Sequence, residues 1–235
     1  MLNAMELWLK RRVRQGSLLW GVLNRLKDIF KITPVIIPVY RKLSKNSIFI
    51  FKDELCAAST FPVKIIDKTI ELFNPKTVLD LGCGTGKSLD HFLSKHIEVT
   101  GVEGSKIAIS AASHPELIIR YNLDKELELS KKFDLIWSFE FVEHIHHKFI
   151  DNLLKTFSNH SDRIVLSAAR PGQGGDGHFN EQPSSYWIEK FEKYGYRFNR
   201  SKTDALRVIE EEYAENMLVF ERKKNIFFQD QFRAK

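Results

Sequence analysis

Cysteine is nearly absent from the chain: two occur in 235 residues, Cys56 and Cys83, far apart in sequence. Two such residues cannot form a disulfide framework, so a reducing, cytoplasmic compartment is expected. Long apolar runs are missing as well. The stretch PVIIPVY at residues 34–40 is too short to span a bilayer and holds two prolines. Lys10, Arg11, Arg12 and Arg14 interrupt the first apolar residues, so no secretory signal is expected either. There is no internal repeat and no low-complexity tract. Hydrophobic residues make up 43% of the chain and charged residues 28%, an ordinary globular composition. A chain of this length can bury a core without staples, as one domain with an appendage.

Excess positive charge is confined to one end. Residues 1–45 carry ten Lys or Arg against two acids, a net of +8, while the other 190 residues carry 26 against 28, a net of −2. A slightly acidic body offers no phosphate-tracking groove, which makes nucleic acid the less favoured partner. In the basic extension, Leu19, Val22, Leu23, Leu26, Ile29 and Phe30 fall on one helical face, and Met5, Trp8, Leu9 and Val13 show the same habit. Two readings stay open. The preferred one is a packing or lid helix, or a dimer contact; the other is an amphipathic segment lying peripherally on an anionic inner-membrane surface. Trp8 and Trp20 suit either. The chain accordingly divides into an extension (1–61), a main domain (62–222) and a polar, aromatic tail (223–235).

Glycine is concentrated rather than spread: seven of twelve lie in two short stretches, 82–86 and 172–177. Val78, Leu79 and Leu81 form a buried strand running into Gly82, Cys83, Gly84, Thr85 and Gly86, and a helical pattern follows from Lys87. Without a Cβ in the way, backbone N–H groups at such a junction can approach a ligand closely. A helix at 62–73 precedes this strand. Further strands are predicted at 97–102 (ending in Glu103), 117–121 (followed by Asn122 and Asp124), 133–138 and 163–167. A helix is expected at 148–157 and another at 184–194, stopped by Gly195. The last two strands are placed at 196–201 and 215–221. Alternation of this kind predicts an α/β fold: a doubly wound, Rossmann-like, mostly parallel sheet of seven strands.

The spacing G-x-G-x-G, with Asp80 two residues ahead of Gly82, resembles the first motif of the class I S-adenosylmethionine (SAM) methyltransferases. It differs from the G-x-G-x-x-G of the nucleotide oxidoreductases. The resemblance covers about residues 62–222. It implies that Asp80, Gly82, Gly84 and Gly86 cradle the methionine end of SAM. Glu103 would accept hydrogen bonds from the ribose hydroxyls, and Asp124 would take the adenine amino group. Phe49, Phe51 and Phe61 are expected over the cofactor entrance.

After the fourth strand come Glu140, Glu143 and His144. If a helix begins there, positions i, i+3 and i+4 share a face, and two crowded carboxylates call for a positive charge between them. Oxygen and imidazole donors together suit Mg, Mn, Fe or Zn, and His178, in the glycine-rich loop of residues 170–182, is a candidate fourth ligand. The E-x-x-E-H segment with a later histidine resembles the metal-dependent O-methyltransferases acting on small-RNA 3′ ends. A similar segment occurs in the ubiquinone-pathway O-methyltransferases. The resemblance implies a divalent cation that holds neighbouring oxygens of a diol and lowers the pKa of the target hydroxyl. A metal-free His144 base is the competing reading. Glu143 and His144 are the expected catalytic residues, and His146 and His147 are expected to face solvent.

Arg170, Gln173, Asp176, Asn180, Gln182, Tyr186 and Trp187 mix hydrogen-bonding groups with aromatic faces, as a sugar requires. Residues 168–187 resemble methyltransferases that modify bacterial surface glycans. The leading expectation is O-methylation of a sugar hydroxyl on a glycan or glycolipid. The alternatives are a metal-dependent RNA 2′-O-methyltransferase, a small-molecule O-methyltransferase and, last, a non-catalytic SAM-fold scaffold.

Overall fold

The computed structural model describes residues 61–175 and 177–223. The amphipathic extension, Phe49, Phe51, Asp176 and the tail from residue 224 lie outside the described residues. Strand β1 (Thr77–Leu81) pairs in parallel with β2 (Glu98–Glu103) on one side and β4 (Leu135–Ser138) on the other. β3 (Ile118–Arg120) extends the sheet beyond β2, and β5 (Arg163–Ser167) extends it beyond β4. The last hairpin completes the order β3-β2-β1-β4-β5-β7-β6, with β7 (Met217–Arg222) antiparallel to both β5 and β6 (Tyr196–Phe198). The order reverses between β1 and β4, and in open α/β sheets the crevice outside such a switch point receives ligands.

Alternation within the strands sends side chains into two cores. Leu79, Leu81, Ile136, Ile164, Leu166, Leu218 and Phe220 face one layer; Val78, Leu135, Trp137, Val165, Met217 and Val219 face the other. Helices α4 (Ile150–His160) and α5 (Ser184–Lys193) cover the first layer with Leu153, Phe157, Trp187 and Phe191. Three more cover the second: α1 (Val63–Phe73), α2 (Lys87–Ser94) and α6 (Arg200–Arg207), through Ile65, Ile66, Leu89, Phe92 and Leu206. A five-residue helix α3 (Lys106–Ser110), capped by the Ser105 hydroxyl, follows β2. No helix among the described residues is long and apolar enough to cross a membrane.

Two local expectations are corrected. The strand expected at 196–201 ends at Phe198, because the Asn199 side chain accepts the Lys202 N–H at 3.1 Å and starts α6. No α-helix begins at Glu140. That residue is left-handed (φ 48°), and only Val142–His144 form a single tight 3-10 turn.

Candidate functional site

The glycine turn is fixed to the sheet before any ligand is considered. Gly82 and Cys83 donate their N–H groups to the Val102 carbonyl at 2.9 and 3.2 Å, which docks the turn on the end of β2. Gly82, Gly84 and Gly86 have φ of 77°, 56° and 78°, left-handed values that cost a side-chain-bearing residue about 1–2 kcal/mol each. Gly82 also lies under an aromatic ring, since a Cβ there would fall 2.1 Å from Phe141 Cγ. The segment after β4 therefore rests directly on the glycine turn.

Three acids line successive strand ends. Glu103, at the tip of β2, accepts the Gly84 N–H on one oxygen (3.0 Å) and the Ser105 N–H on the other (2.7 Å). Burial raises its pKa, and those N–H groups offset part of the effect. Asp80 is buried in β1, with Oδ2 lacking any hydrogen-bond partner. Burial, reinforced by Glu103, holds its carboxyl well above the usual carboxylate range. Asp124, after β3, is buried; its carbonyl accepts from Asn152 (2.8 Å) and its N–H donates to the Asn122 side chain (3.0 Å). A glycine cradle, an orphaned acceptor and a pinned glutamate fit a ligand with an ammonium end and vicinal hydroxyls. Cys83 plays no nucleophilic part there, because burial pushes its thiol pKa up.

A second cluster of side chains lies beyond the ends of β4 and β5. One ligand atom each from Glu143, His144 and His178 falls within 4.8 Å of the others. Glu143 is fully buried, and neither of its carboxylate oxygens has a hydrogen-bond partner. Burial, then the nearby charge of Glu140, pushes its pKa well above the ordinary value, with the Glu143 and Ala169 backbone amides pulling it down and Glu181 adding a last upward push. Burial, helped by His178, pushes the His144 imidazole down to about 3, although the Gly177 and Glu140 backbones pull the other way. A neutral imidazole of that kind keeps a lone pair that can bind a cation or accept a proton. The two histidine rings meet edge to face, their centroids 4.9 Å apart. The Phe179 and Asn180 N–H groups both donate to the Glu143 carbonyl at 2.9 Å, tying the two loops together.

Glu140 stands outside this group. Asn216 Nδ2 donates to its Oε1 at 3.0 Å, and Gln173 Nε2 reaches its Oε2 at 3.5 Å; its own N–H donates to the Ser167 hydroxyl. The tight turn after a left-handed residue replaces the regular helix that would have aligned positions 140, 143 and 144. The sugar-facing set is reduced as well. Trp187 is 1% exposed and packs in the core; Asn180 is equally buried, its Oδ1 accepting from Gln182 at 3.0 Å. Arg170 is held by Asn216 and Glu215. Gln173 is exposed, and Gln182 and Tyr186 are half-buried. His147 faces solvent as expected, and His146 is half-buried beside it.

Two residues near the cluster escaped sequence reasoning. Glu181 bonds His178, and the His-x-x-Glu spacing within the loop was the available signal. Asn216 holds both Glu140 and Arg170 from just before β7, and no local pattern marks it.

A family model described as a methyltransferase domain matches residues 57–213, more than half of the chain. The chain is also similar to a ubiquinone biosynthesis O-methyltransferase of Rhodopseudomonas palustris (strain BisB5), 27% identical over 85 residues, 34% of each protein. It thus spans about a third of the length of that curated relative. A TehB-like SAM-dependent methyltransferase from Corynebacterium glutamicum has the same fold, with a TM-score of 0.55 and 18% identity over 73% of this chain and 93% of that one. The glycopeptide N-methyltransferase MtfA, complexed with sinefungin, shares it too, with a TM-score of 0.53 and 12% identity over 71% and 87%. With glycine turn, sheet order and family match in agreement, the chain belongs to the methyltransferase-domain family and is a class I SAM-dependent methyltransferase.

Proposed function

We propose that this enzyme methylates a hydroxyl lying next to a second oxygen, on a sugar of a glycan or glycolipid, with a divalent cation held by Glu143, His144 and His178. One observation carries the reading: a fully buried carboxyl with both oxygens unpartnered, close to two imidazoles. Burying a polar group without partners costs roughly 1–3 kcal/mol, and a cation (Mg, Mn, Fe or Zn) removes that cost. Glu140, occupied by Asn216 and Gln173, adds negative charge beside the cluster rather than a ligand atom.

On the cofactor side, Asp80 and the backbone of Gly82, Gly84 and Gly86 bind the methionine end. Glu103 takes the ribose hydroxyls and Asp124 the adenine amino group. SAM, when bound, supplies an activated methyl group, and a cation in the cluster supplies Lewis acidity toward two acceptor oxygens. The chain's own work is to hold acceptor and cofactor together. Phe141 does this directly, since it joins the acceptor-side turn to Gly82. Exposed Gln173 and half-buried Gln182 and Tyr186 mix amides with an aromatic ring in and after the loop, a composition that supports the sugar class, although both amides already bond their neighbours. In this reading residues 62–222 are a cytoplasmic catalytic domain.

The test is methyl transfer from labelled SAM to glycan, RNA and catechol acceptors, with EDTA and after Mn²⁺ is restored. Transfer to glycan, abolished by EDTA and recovered with Mn²⁺, is expected. Full turnover in excess EDTA would remove the cation, and preference for RNA 3′ ends would replace the acceptor.

A further inference from the structure

The cation cluster has a supporting residue one layer out. His178 and Glu181 sit in the loop between β5 and α5, with side chains only 11% exposed, and His178 Nδ1 lies 3.1 Å from Glu181 Oε1. The same carboxylate is fixed in place by the loop backbone: Gly174 N–H donates to Oε1 at 2.8 Å and Gly172 N–H to Oε2 at 3.0 Å. Gly172 and Gly174, with φ of 85° and 75°, provide the left-handed backbone of this wrap.

We infer that Glu181 is a positioning residue that holds the proton of His178 on Nδ1 and so turns the Nε2 lone pair toward the cation. The inference rests on the cation reading above. A carboxylate at one ring nitrogen keeps the proton there and leaves the other as the ligand, fixing both tautomer and ring orientation. Gly175 lies against the Nε2 edge of the ring: a Cβ there would fall 2.4 Å from Nε2, so only glycine lets the ring lie where it does. The anchor is in turn coupled to the first ligand, because Phe179 and Asn180, between His178 and Glu181, both bond the Glu143 carbonyl. Carboxylate, imidazole and second carboxylate thus form one connected unit.

The experiment compares the full-length wild type with Glu181→Ala and Glu181→Gln. Free Mn²⁺ is followed by its paramagnetic resonance signal, with Zn²⁺ competition where Mn²⁺ is weak. SAM affinity serves as the check on folding, and long-range ¹H–¹⁵N spectra report the His178 tautomer. Glu181→Ala should weaken Mn²⁺ binding by about 10–100-fold, the usual loss for such outer partners, and release the ring from the single Nδ1–H form. Glu181→Gln should fall between, since its amide oxygen still accepts from Nδ1–H, and SAM affinity should hold in both. Unchanged Mn²⁺ affinity in the alanine variant would overturn the role of Glu181 and leave the cation reading intact. Weakened binding with the tautomer unmoved would also overturn it, because loop ordering alone gives that result. Failure of the wild type to bind either metal would remove the cation reading, and this inference with it.

Discussion

Glu103 and Glu143 lie at the carboxyl ends of two strands of the same sheet, β2 and β4, and burial raises the pKa of both. Their surroundings are opposite. Glu103 accepts a backbone N–H on each oxygen, from Gly84 and Ser105, whereas neither Glu143 oxygen makes a hydrogen bond of regular geometry and the Glu143 and Ala169 amides only partly offset its burial. A carboxylate held by amides is a fixed acceptor with lone pairs left over, suited to hydroxyls. A buried carboxyl without amides is stable only when neutral or beside a cation. One residue type thus stands in two environments, and the local supply of N–H groups sets which chemistry each is suited to.

The sharpest way to break this contrast is Glu143→Ala. It should cut turnover on the order of 10²–10⁴-fold, the range for losing a proton-transfer or activating group. Calorimetric SAM affinity should stay put while Mn²⁺ binding disappears. Turnover near the wild-type rate would mean that Glu143 is merely structural. The reciprocal change, Glu103→Ala, removes two charge-assisted hydrogen bonds worth roughly 1.5–3 kcal/mol each, so SAM should bind on the order of 10²–10⁴-fold more weakly with Mn²⁺ affinity intact. Loss of both affinities in either variant would show that the two sites do not separate.

Asp134 supplies the smallest effect and a baseline in water. Like Glu103 it takes two backbone N–H groups, from Lys76 (2.8 Å) and Thr77 (3.0 Å), but it is exposed. Its pKa is lowered, first by the Lys76 N–H, against the opposing effect of burial. A depressed folded-state pKa contributes stability that is present above the ordinary aspartate range and lost as pH falls through the depressed value. Urea midpoints of wild type and Asp134→Asn should therefore differ slightly near neutrality and converge in acid. A constant gap at all pH values would sink that account.

The cofactor half was the more legible because it is contiguous. Strand, glycine turn and helix occupy residues 77–94, and the acids at 80, 103 and 124 each follow or end a short apolar run. The glutamate–histidine cluster is assembled from segments whose meeting no local pattern announces. Glu143 and His144 were visible as a motif, yet their geometry was not, because the left-handed backbone at Glu140 replaces the regular helix that the spacing suggested. Helix α6 was hidden for a similar reason. The alternation of Tyr196-Arg197-Phe198 seemed to continue, and only Thr203 and Leu206 of the helix are buried, too few for a clear periodic face. Trp187 was misjudged as a sugar platform because an aromatic in a polar context looks the same whether it caps a core or lines a site.

Asn216 gives the final hairpin a second job. From just before β7 it accepts the Ala168 N–H on its carbonyl at 3.1 Å, while its side-chain amide reaches Glu140 and Arg170. The far margin of the sheet is thus spliced into the loop that carries Arg170 and onto Glu140. Grafting this hairpin between sister enzymes would carry part of their acceptor preference along with it, even though no hairpin residue belongs to the glutamate–histidine trio.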